Sequence, residues 1–267
     1  MERGALIGEG NTAQVFLWGE KEVIKLFRED FYGSAIEKEY LLSKKVEELG
    51  LPVPKVGGMV EEDQRTGILY EKIEGSSMLG EIQKKPWKAD QYAKLLAEIH
   101  YKIHRTKIEG DCIQDYKKTM EQNILRTDLL SEAKKQEILL NLKQLPEGDA
   151  LCHGDFHPGN VIMNGGKPVV IDWMLAVSGN PAADVARTLL LLKSGALPPG
   201  TSKIFLIFVR ILRRHLSSVY LRHYLRISGV KKEEVFRWKI PIVAARLTEW
   251  VPDAERNDML NVINQNV

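Results

Sequence analysis

Between positions 153 and 173 the chain reads His-Gly-Asp-Phe-His-Pro-Gly-Asn and then, at 169–173, Val-Val-Ile-Asp-Trp. Two carboxylates, Asp155 and Asp172, and one carboxamide, Asn160, fall within 18 residues. Phosphoryl transfer asks for such a set. One carboxylate orients the attacking hydroxyl, a second works with an amide to hold Mg2+ on the phosphates, and a lysine neutralises the α- and β-phosphates. Magnesium takes hard oxygen ligands in a few well-placed positions. The Asn164-Gly165-Gly166 turn joins apolar runs at 161–163 and 168–171, which predicts a β-hairpin. That hairpin would return Asp172 to Asn160, so that one oxygen from each shares a metal. His153, Asp155 and His157 alternate, and on a strand they would face one side as a transition-metal set. Pro158-Gly159 bends the chain there, and that reading leaves Asn160 and Asp172 unused. A polar turn before a hairpin explains any one of these residues but not the combination.

A second set lies near the start, where 7–15 reads Ile-Gly-Glu-Gly-Asn-Thr-Ala-Gln-Val. Gly8 and Gly10 carry no Cβ, so a hairpin built on them can approach phosphate oxygens closely. The spacing follows the glycine-rich pattern G-x-G-x-x-G-x-V through Val15, with Ala13 at the third glycine. Taken alone, such a segment is as well read as a plain turn. Lys25 follows within Val-Ile-Lys-Leu at 23–26. A lysine in an apolar strand is buried only with a partner; otherwise it keeps an edge strand soluble. The next helix offers Glu37 and Glu39. Glu39 shares a face with Ala35, Leu42 and Val46, whereas Glu37 sits over Leu41, Lys44, Lys45 and Glu48. Glu39 is therefore the expected partner of Lys25.

The elements that must position these residues follow from periodicity. Short apolar runs at 5–8, 13–18, 22–27, 55–60 and 67–73 read as strands, with a helix at 33–49 stopped by Gly50. Glu74-Gly75-Ser76-Ser77 reads as a linker. Beyond it, helical patterns cover 90–105, 112–130, 131–145, 181–193, 201–227, 231–247 and 253–263, interrupted by a strand-rich island at 150–173. The fold class is α+β: a five-stranded antiparallel N-terminal lobe with one helix at 1–75, then a larger helical lobe at 76–267. Ligands favour clefts between such lobes.

Composition sets the remaining bounds. The 267 residues carry a formal net charge of +2, which gives no global attraction for nucleic acid or membrane. Cys112 and Cys152 lie far apart without metal or redox spacing and read as buried free thiols of a reducing compartment. The first residues lack the apolar core of a signal peptide, and the strongest apolar run, 204–212, contains Arg210 and is too short to span a bilayer. A cytoplasmic protein is the expectation; oligomeric state is not encoded in any feature.

The 153–160 segment with Ile-Asp-Trp at 171–173 resembles the aminoglycoside phosphotransferase and choline kinase branch of the protein-kinase-like superfamily, over most of the chain. Relative to protein kinases, Gly154 replaces the arginine of the catalytic loop and Trp173 stands at the phenylalanine of D-F-G. Asn180-Pro-Ala-Ala-Asp184 arrives within 12 residues of Asp172, which leaves no activation loop. The resemblance implies a bilobal protein-kinase-like fold, ATP and Mg2+ as cofactors, and Asp155 as catalytic base. It implies Asn160 and Asp172 as magnesium ligands, Lys25 on the phosphates and Glu39 holding Lys25. Gly8, Gly10 and Val15 would cover the nucleotide. Adenine would meet backbone groups of Glu71 and Ile73 at a hinge, and Asp184 would be a structural aspartate near the catalytic loop. A catalytically inactive nucleotide-binding protein and a protein kinase are the competing readings. The first is disfavoured because base, lysine and metal aspartate are all present, the second by the missing activation loop.

The acceptor is less legible. From Lys193 to Leu247 there are 12 Lys or Arg against Glu233 and Glu234 only. Charge complementarity then disfavours a polycation such as an aminoglycoside and favours a neutral or anionic acceptor: a sugar, a sugar derivative or a hydroxy acid. An aminoalcohol stays within the range of acceptors. Arg210, Arg213 and Arg214 lie opposite Ile204, Phe208 and Ile211, so they read as the solvated face of an amphipathic helix. Trp238, Trp250 and His223 read as packing residues.

Overall fold

The computed structural model describes residues 3–29, 31–110, 113–195 and 200–267. Cys112, both as a buried thiol and as a helix start, lies outside them; Cys152 is buried and free. In chain order the elements are β1 (Arg3–Glu9), β2 (Ala13–Trp18), β3 (Glu22–Phe27), α1 (Gly33–Glu48), β4 (Val56–Glu62), β5 (Arg65–Glu71) and β6 (Ser76–Ser77). Then come α2 (Met78–Lys84), α3 (Ala89–His104), β7 (Gln114–Asp115), α4 (Tyr116–Arg126), α5 (Glu132–Gln144), β8 (Ala150–Cys152), β9 (Val161–Asn164) and β10 (Lys167–Val170). The chain ends with β11 (Val177–Gly179), α6 (Pro181–Leu191), α7 (Lys203–Ser228), α8 (Lys232–Arg237), α9 (Lys239–Ala245) and α10 (Asp253–Asn264).

Two compact units result. One joins Met1–Glu81 to Pro158–Leu175, and the other joins Ile82–His157 to Ala176–Val267. The first holds the five-stranded antiparallel sheet in the order β1-β2-β3-β5-β4. Strand alternation divides β3 between the two faces of this sheet. Ile24 and Leu26 pack with Trp18 on one side. Phe27 packs with Ala13, Val56, Ile68 and Ile36 of α1 on the other. Lys25, two residues from Phe27, therefore shares the α1 face. On α1, Ile36, Glu39, Leu42, Ser43 and Val46 form the buried stripe, as the 3.6-residue period requires. The same unit contains the β9–β10 hairpin, in which Val161 faces Val170 and Asn164 faces Lys167. Val170 N–H donates to the Pro52 carbonyl at 2.7 Å, which pins the hairpin beside the α1–β4 connection.

The second unit is mostly helical, with a short β7-β11-β8 sheet. Three expectations change here. The helix at 112–130 is shorter: Asp115 caps α4 by accepting the Lys118 N–H at 2.8 Å, and Thr127 is already extended. The helix at 231–247 splits into α8 and α9 at Trp238. Pro241 explains this, since its missing N–H is tolerated only in a first turn. The linker at 74–77 is partly ordered: Ser76 and Ser77 pair with Met163 and Ile162 of β9, and α2 follows directly, unannounced by the sequence pattern.

The first half of α7 also departs from expectation. Arg210 and Arg214 are exposed as expected, but the apolar residues opposite them are exposed too, Ile204 at 83%, Phe208 at 47% and Ile211 at 61%. Arg213 is partly buried and donates to the Gly195 carbonyl at 2.8 Å. Trp238 is core, Trp250 is exposed, and the nearly buried His223 bonds Glu98.

Candidate functional site

Lys25 and Glu39 meet because period 2 on β3 and period 3.6 on α1 aim both at the same layer. Lys25 Nζ lies 2.6 Å from Glu39 Oε1 and 3.0 Å from Asp172 Oδ1. Glu39 is 2% exposed, whereas Glu37 is exposed to solvent. Burial opposes the Lys25 charge, but Asp172 and Glu39 outweigh it and hold the ammonium pKa above its usual value. Glu39 is pushed the other way: burial raises its carboxyl pKa against the pull of Lys25. Among the described residues its Oε2 has no hydrogen-bond partner. Tyr70 Oη approaches Glu39 Oε1 at 3.4 Å and Ser43 Oγ at 3.2 Å. Tyr70, next to Glu71 on β5, is a member of this cluster that sequence reasoning missed, because an aromatic in a strand reads only as core.

The hairpin brings the Asn160 main chain beside the residue before Asp172: Ile171 N–H donates to the Asn160 carbonyl at 3.0 Å. Asn160 itself is buried. Asp172 takes a left-handed backbone conformation, φ 65°, two residues past the end of β10. For a non-glycine residue this is strained, and such strain persists where the surroundings impose it. Its carboxylate reaches Lys25 from there.

Around the glycine-rich segment, Gly10 N–H donates to the Ala13 carbonyl at 2.9 Å. Arg28 braces the turn from outside, with Nε to the Asn11 carbonyl at 3.0 Å and Nη2 to the Gly10 carbonyl at 3.2 Å. Neither Gly8 nor Gly10 has a positive φ. A Cβ on either would meet only ordinary contacts, 3.5 Å from Val15 Cβ and 3.6 Å from the Ala13 carbonyl. Val15 pairs with Lys25 across β2 and β3.

At the end of β5, Glu71 N–H donates to the Lys55 carbonyl at 2.8 Å and Lys72 N–H to the Lys21 carbonyl at 2.8 Å. Lys55 N–H turns to the Glu71 carboxylate at 3.2 Å, not to its main-chain carbonyl. Among the described residues Ile73 N–H has no main-chain acceptor.

Asp155 belongs to the helical unit. Burial works to raise its carboxyl pKa but is outweighed by His157, Arg187 and His153, which hold it well below the usual carboxylate range. His157 Nε2 lies 3.6 Å from Asp155 Oδ2, and Asp155 N–H donates to His153 Nδ1 at 3.2 Å. The two residues before it are fixed by Asp184 from α6, whose oxygens accept the His153 N–H at 2.6 Å and the Gly154 N–H at 3.1 Å. Gly154 has φ 76°. Asp184 is fully buried and also accepts from His100 Nε2 at 3.0 Å and His104 Nε2 at 3.3 Å. Tyr220 and Tyr224 of α7 complete the set, 2.6 and 2.7 Å from the Nδ1 atoms of His100 and His104. Each histidine donates to the carboxylate through Nε2 and accepts from a tyrosine through Nδ1, which fixes both tautomers. Two matched i, i+4 pairs on α3 and α7 thus converge on one carboxylate. The i, i+4 spacing of His100 and His104 was the available signal, hidden within an otherwise ordinary core stripe.

The model of a family described as the phosphotransferase enzyme family matches residues 4–205. No curated protein matches the chain. Among solved structures, a thermostable mutant of the aminoglycoside phosphotransferase APH(4)-Ia superposes with a TM-score of 0.67 at 15% identity, covering 98% of this chain and 94% of that one. Aminoglycoside-3'-phosphotransferase of type VIII gives 0.62 at 18% identity, covering 90% and 92%. The amicoumacin kinase hAmiN, solved with AMP-PNP, Ca2+ and Ami, gives 0.60 at 12% identity, covering 98% and 86%. These likenesses establish the fold: an α+β kinase-like chain with a five-stranded antiparallel sheet, one helix and a mostly helical remainder. Among the described residues no helix is long and apolar enough to cross a membrane.

Proposed function

Because this chain belongs to the phosphotransferase enzyme family and is a small-molecule kinase of it, we propose that it moves the γ-phosphate of ATP onto a hydroxyl of a neutral or anionic small molecule, with Mg2+ as the metal. The observation that carries this reading is Lys25 held between Glu39 and Asp172 at 2.6 and 3.0 Å. Such a lysine is charged, oriented and aimed by two carboxylates, as neutralising phosphate oxygens requires.

Each part has its support. Gly8 and Gly10 are required neither by backbone conformation nor by neighbouring atoms, so their value lies in leaving room for an approaching ligand. The Glu71 carbonyl and the Ile73 N–H are an acceptor and a donor suited to an adenine edge. Asp172 and Asn160 are hard oxygen donors joined by the hairpin, which fits magnesium and not a soft transition metal. Bound there, Mg2+ would neutralise charge on the transferring phosphates. Asp155, kept ionised by His157 and Arg187, accepts the hydroxyl proton late in a loose transition state. Asp184 acts on Asp155 only through the backbone it holds. Several structural neighbours were solved with ATP analogues, hygromycin B or amicoumacin. The excess of Lys and Arg in the second half of this chain favours an acceptor without multiple positive charges.

The test is ADP release with Mg2+ and ATP against aminoglycosides, aminoalcohols, sugars, hydroxy acids and a generic protein substrate, with Asp155→Asn as the blank. Acceptor-dependent release that falls by about 10²–10⁴ in the mutant is expected. An ATP-induced, Mg2+-dependent rise in melting temperature should vanish in Asp172→Ala. Absence of both signals in the wild type would refute the proposal.

A further inference from the structure

In the helical unit a cavity of about 900 Å³ opens among the end of α6, the first half of α7, α9 and α10. That size suits a small molecule. Its polar wall is cationic: Lys193, Arg210, Arg213, Arg214, Lys239 and Arg246 all line it. Of these, Arg246 is satisfied, by Glu249 at 3.0 Å and Glu255 at 3.1 Å. Arg213 spends one guanidinium nitrogen on the Gly195 carbonyl. Among the described residues, Lys193, Arg210, Arg214 and Lys239 have no carboxylate within ion-pair distance. Glu255 faces the cavity but is held by Arg246, which leaves Asp258 as the one acidic wall residue without an ion pair.

Four unpaired cations around one concavity repel one another. The Lys193 ammonium pKa is held down by burial first and then by Lys239 and Arg214. Arg210 and Arg214 line the cavity while still exposed to solvent, beside Leu206 and Val209 of the same helix, and Arg213 turns inward to the Gly195 carbonyl. An anion seated there would relieve the repulsion.

The cavity is also wired to the candidate base. Arg246 shares Glu249 with Arg187, which bonds the other Glu249 oxygen at 2.6 Å. Arg187 in turn acts on the Asp155 carboxyl. The run Glu255–Arg246–Glu249–Arg187 therefore leads from the cavity wall to the residue proposed to take the acceptor's proton.

We propose that this cavity binds the anionic group of the phosphate acceptor, so that the acceptor is a small hydroxyl compound bearing a phosphate or carboxylate. Lys193, Arg214 and Lys239 supply the charge complement. Assignment of the anion to the acceptor rests on the kinase reading; the anion site itself does not.

The two are separable by experiment. With ADP and Mg2+ saturating, inorganic phosphate is titrated at fixed ionic strength while the melting temperature is followed. A saturable rise is expected in the wild type, absent in a Lys193→Gln, Arg214→Gln double variant and restored toward wild type in Lys193→Arg, Arg214→Lys. A rise that persists in the glutamine variant, or no rise in the wild type, overturns the anion site. In the ADP-release assay, phosphorylated or carboxylated hydroxyl compounds should outperform their neutral analogues, and the glutamine variant should raise KM for the anionic acceptor at least tenfold with kcat largely kept. Neutral acceptors turned over equally well by wild type and variant would leave the kinase standing and sink the acceptor assignment. Phosphate binding without ATP turnover of any acceptor would sink the kinase reading and leave the anion site.

Discussion

Lys25 Nζ stands 2.6 Å from Glu39 Oε1, an ion pair whose carboxylate is buried and whose second oxygen has no partner among the described residues. Asp172 Oδ1, 3.0 Å from the same ammonium, is far more exposed. On the proposed reading the two acids differ in role: Glu39 would orient the lysine, while Asp172 would face a metal and phosphates. Glu39→Gln should lower the single-turnover rate by about tenfold, and Asp172→Ala by about 10²–10³. Equal losses would contradict the division.

The Glu39 carboxyl is displaced upward by burial, opposed by Lys25. Lys25→Met removes the opposition. A carboxyl with a folded pKa above its unfolded value binds extra protons in the folded state, so its contribution to stability is lost as pH rises. The Lys25→Met protein should lose stability as pH rises above the ordinary carboxylate range, by up to ~1.4 kcal/mol per pH unit. Urea midpoints over that rise measure it, and adding Glu39→Gln should flatten the slope.

Burial drives the His100 pKa from 6.5 to about 3, assisted by His104 and opposed by Asp184. The folded state keeps this imidazole neutral where the unfolded chain protonates it. Stability is then complete above about pH 6.5 and is lost as pH falls toward 3, at roughly 1.4 kcal/mol per unit. His100→Gln should be less stable at pH 7.5 yet show a shallower acid slope between pH 6.5 and 4.5. An unchanged slope would show that His100 is already charged in the folded state.

Gly75 has φ 136°, and a Cβ there would stand 2.3 Å from the Met163 carbonyl oxygen on β9. That oxygen is main chain, not a flexible side-chain tip. Gly75→Ala should cost about 2–4 kcal/mol, combining backbone strain with forced separation of β6 from β9. Chemical denaturation measures the loss. Gly58→Ala, whose Cβ would meet nothing within 4 Å, is the control and should change stability by under about 1 kcal/mol.

Local pattern carried much of the fold. Alternation in Val-Ile-Lys-Leu placed Lys25 with Phe27 on one sheet face. The helical period separated Glu39 from Glu37, and Asn-Gly-Gly marked the hairpin. The β2 and β3 boundaries, 13–18 and 22–27, match the structure because both strands are bounded by turn residues and paired on both sides. Where a backbone break depends on one proline in a first turn, as at Pro241, or where an ordered segment is two residues long, as at Ser76–Ser77, the pattern is too short to read.

The sequence by itself determined which side chains could do phosphoryl chemistry and which face of each element they occupy, because composition, spacing and period are local properties. Only the tertiary structure decided what they meet. Lys25 and Asp172 are 147 residues apart, and no period links them. Asp184 holds the backbone before Asp155 and is itself held by two histidine–tyrosine pairs, a convergence that requires α3, α6 and α7 to pack together. In α7, Arg213 turns inward to the Gly195 carbonyl while Ile204, Phe208 and Ile211 lie exposed. Amphipathicity states that a helix has two faces; the packing of its neighbours decides which face is covered.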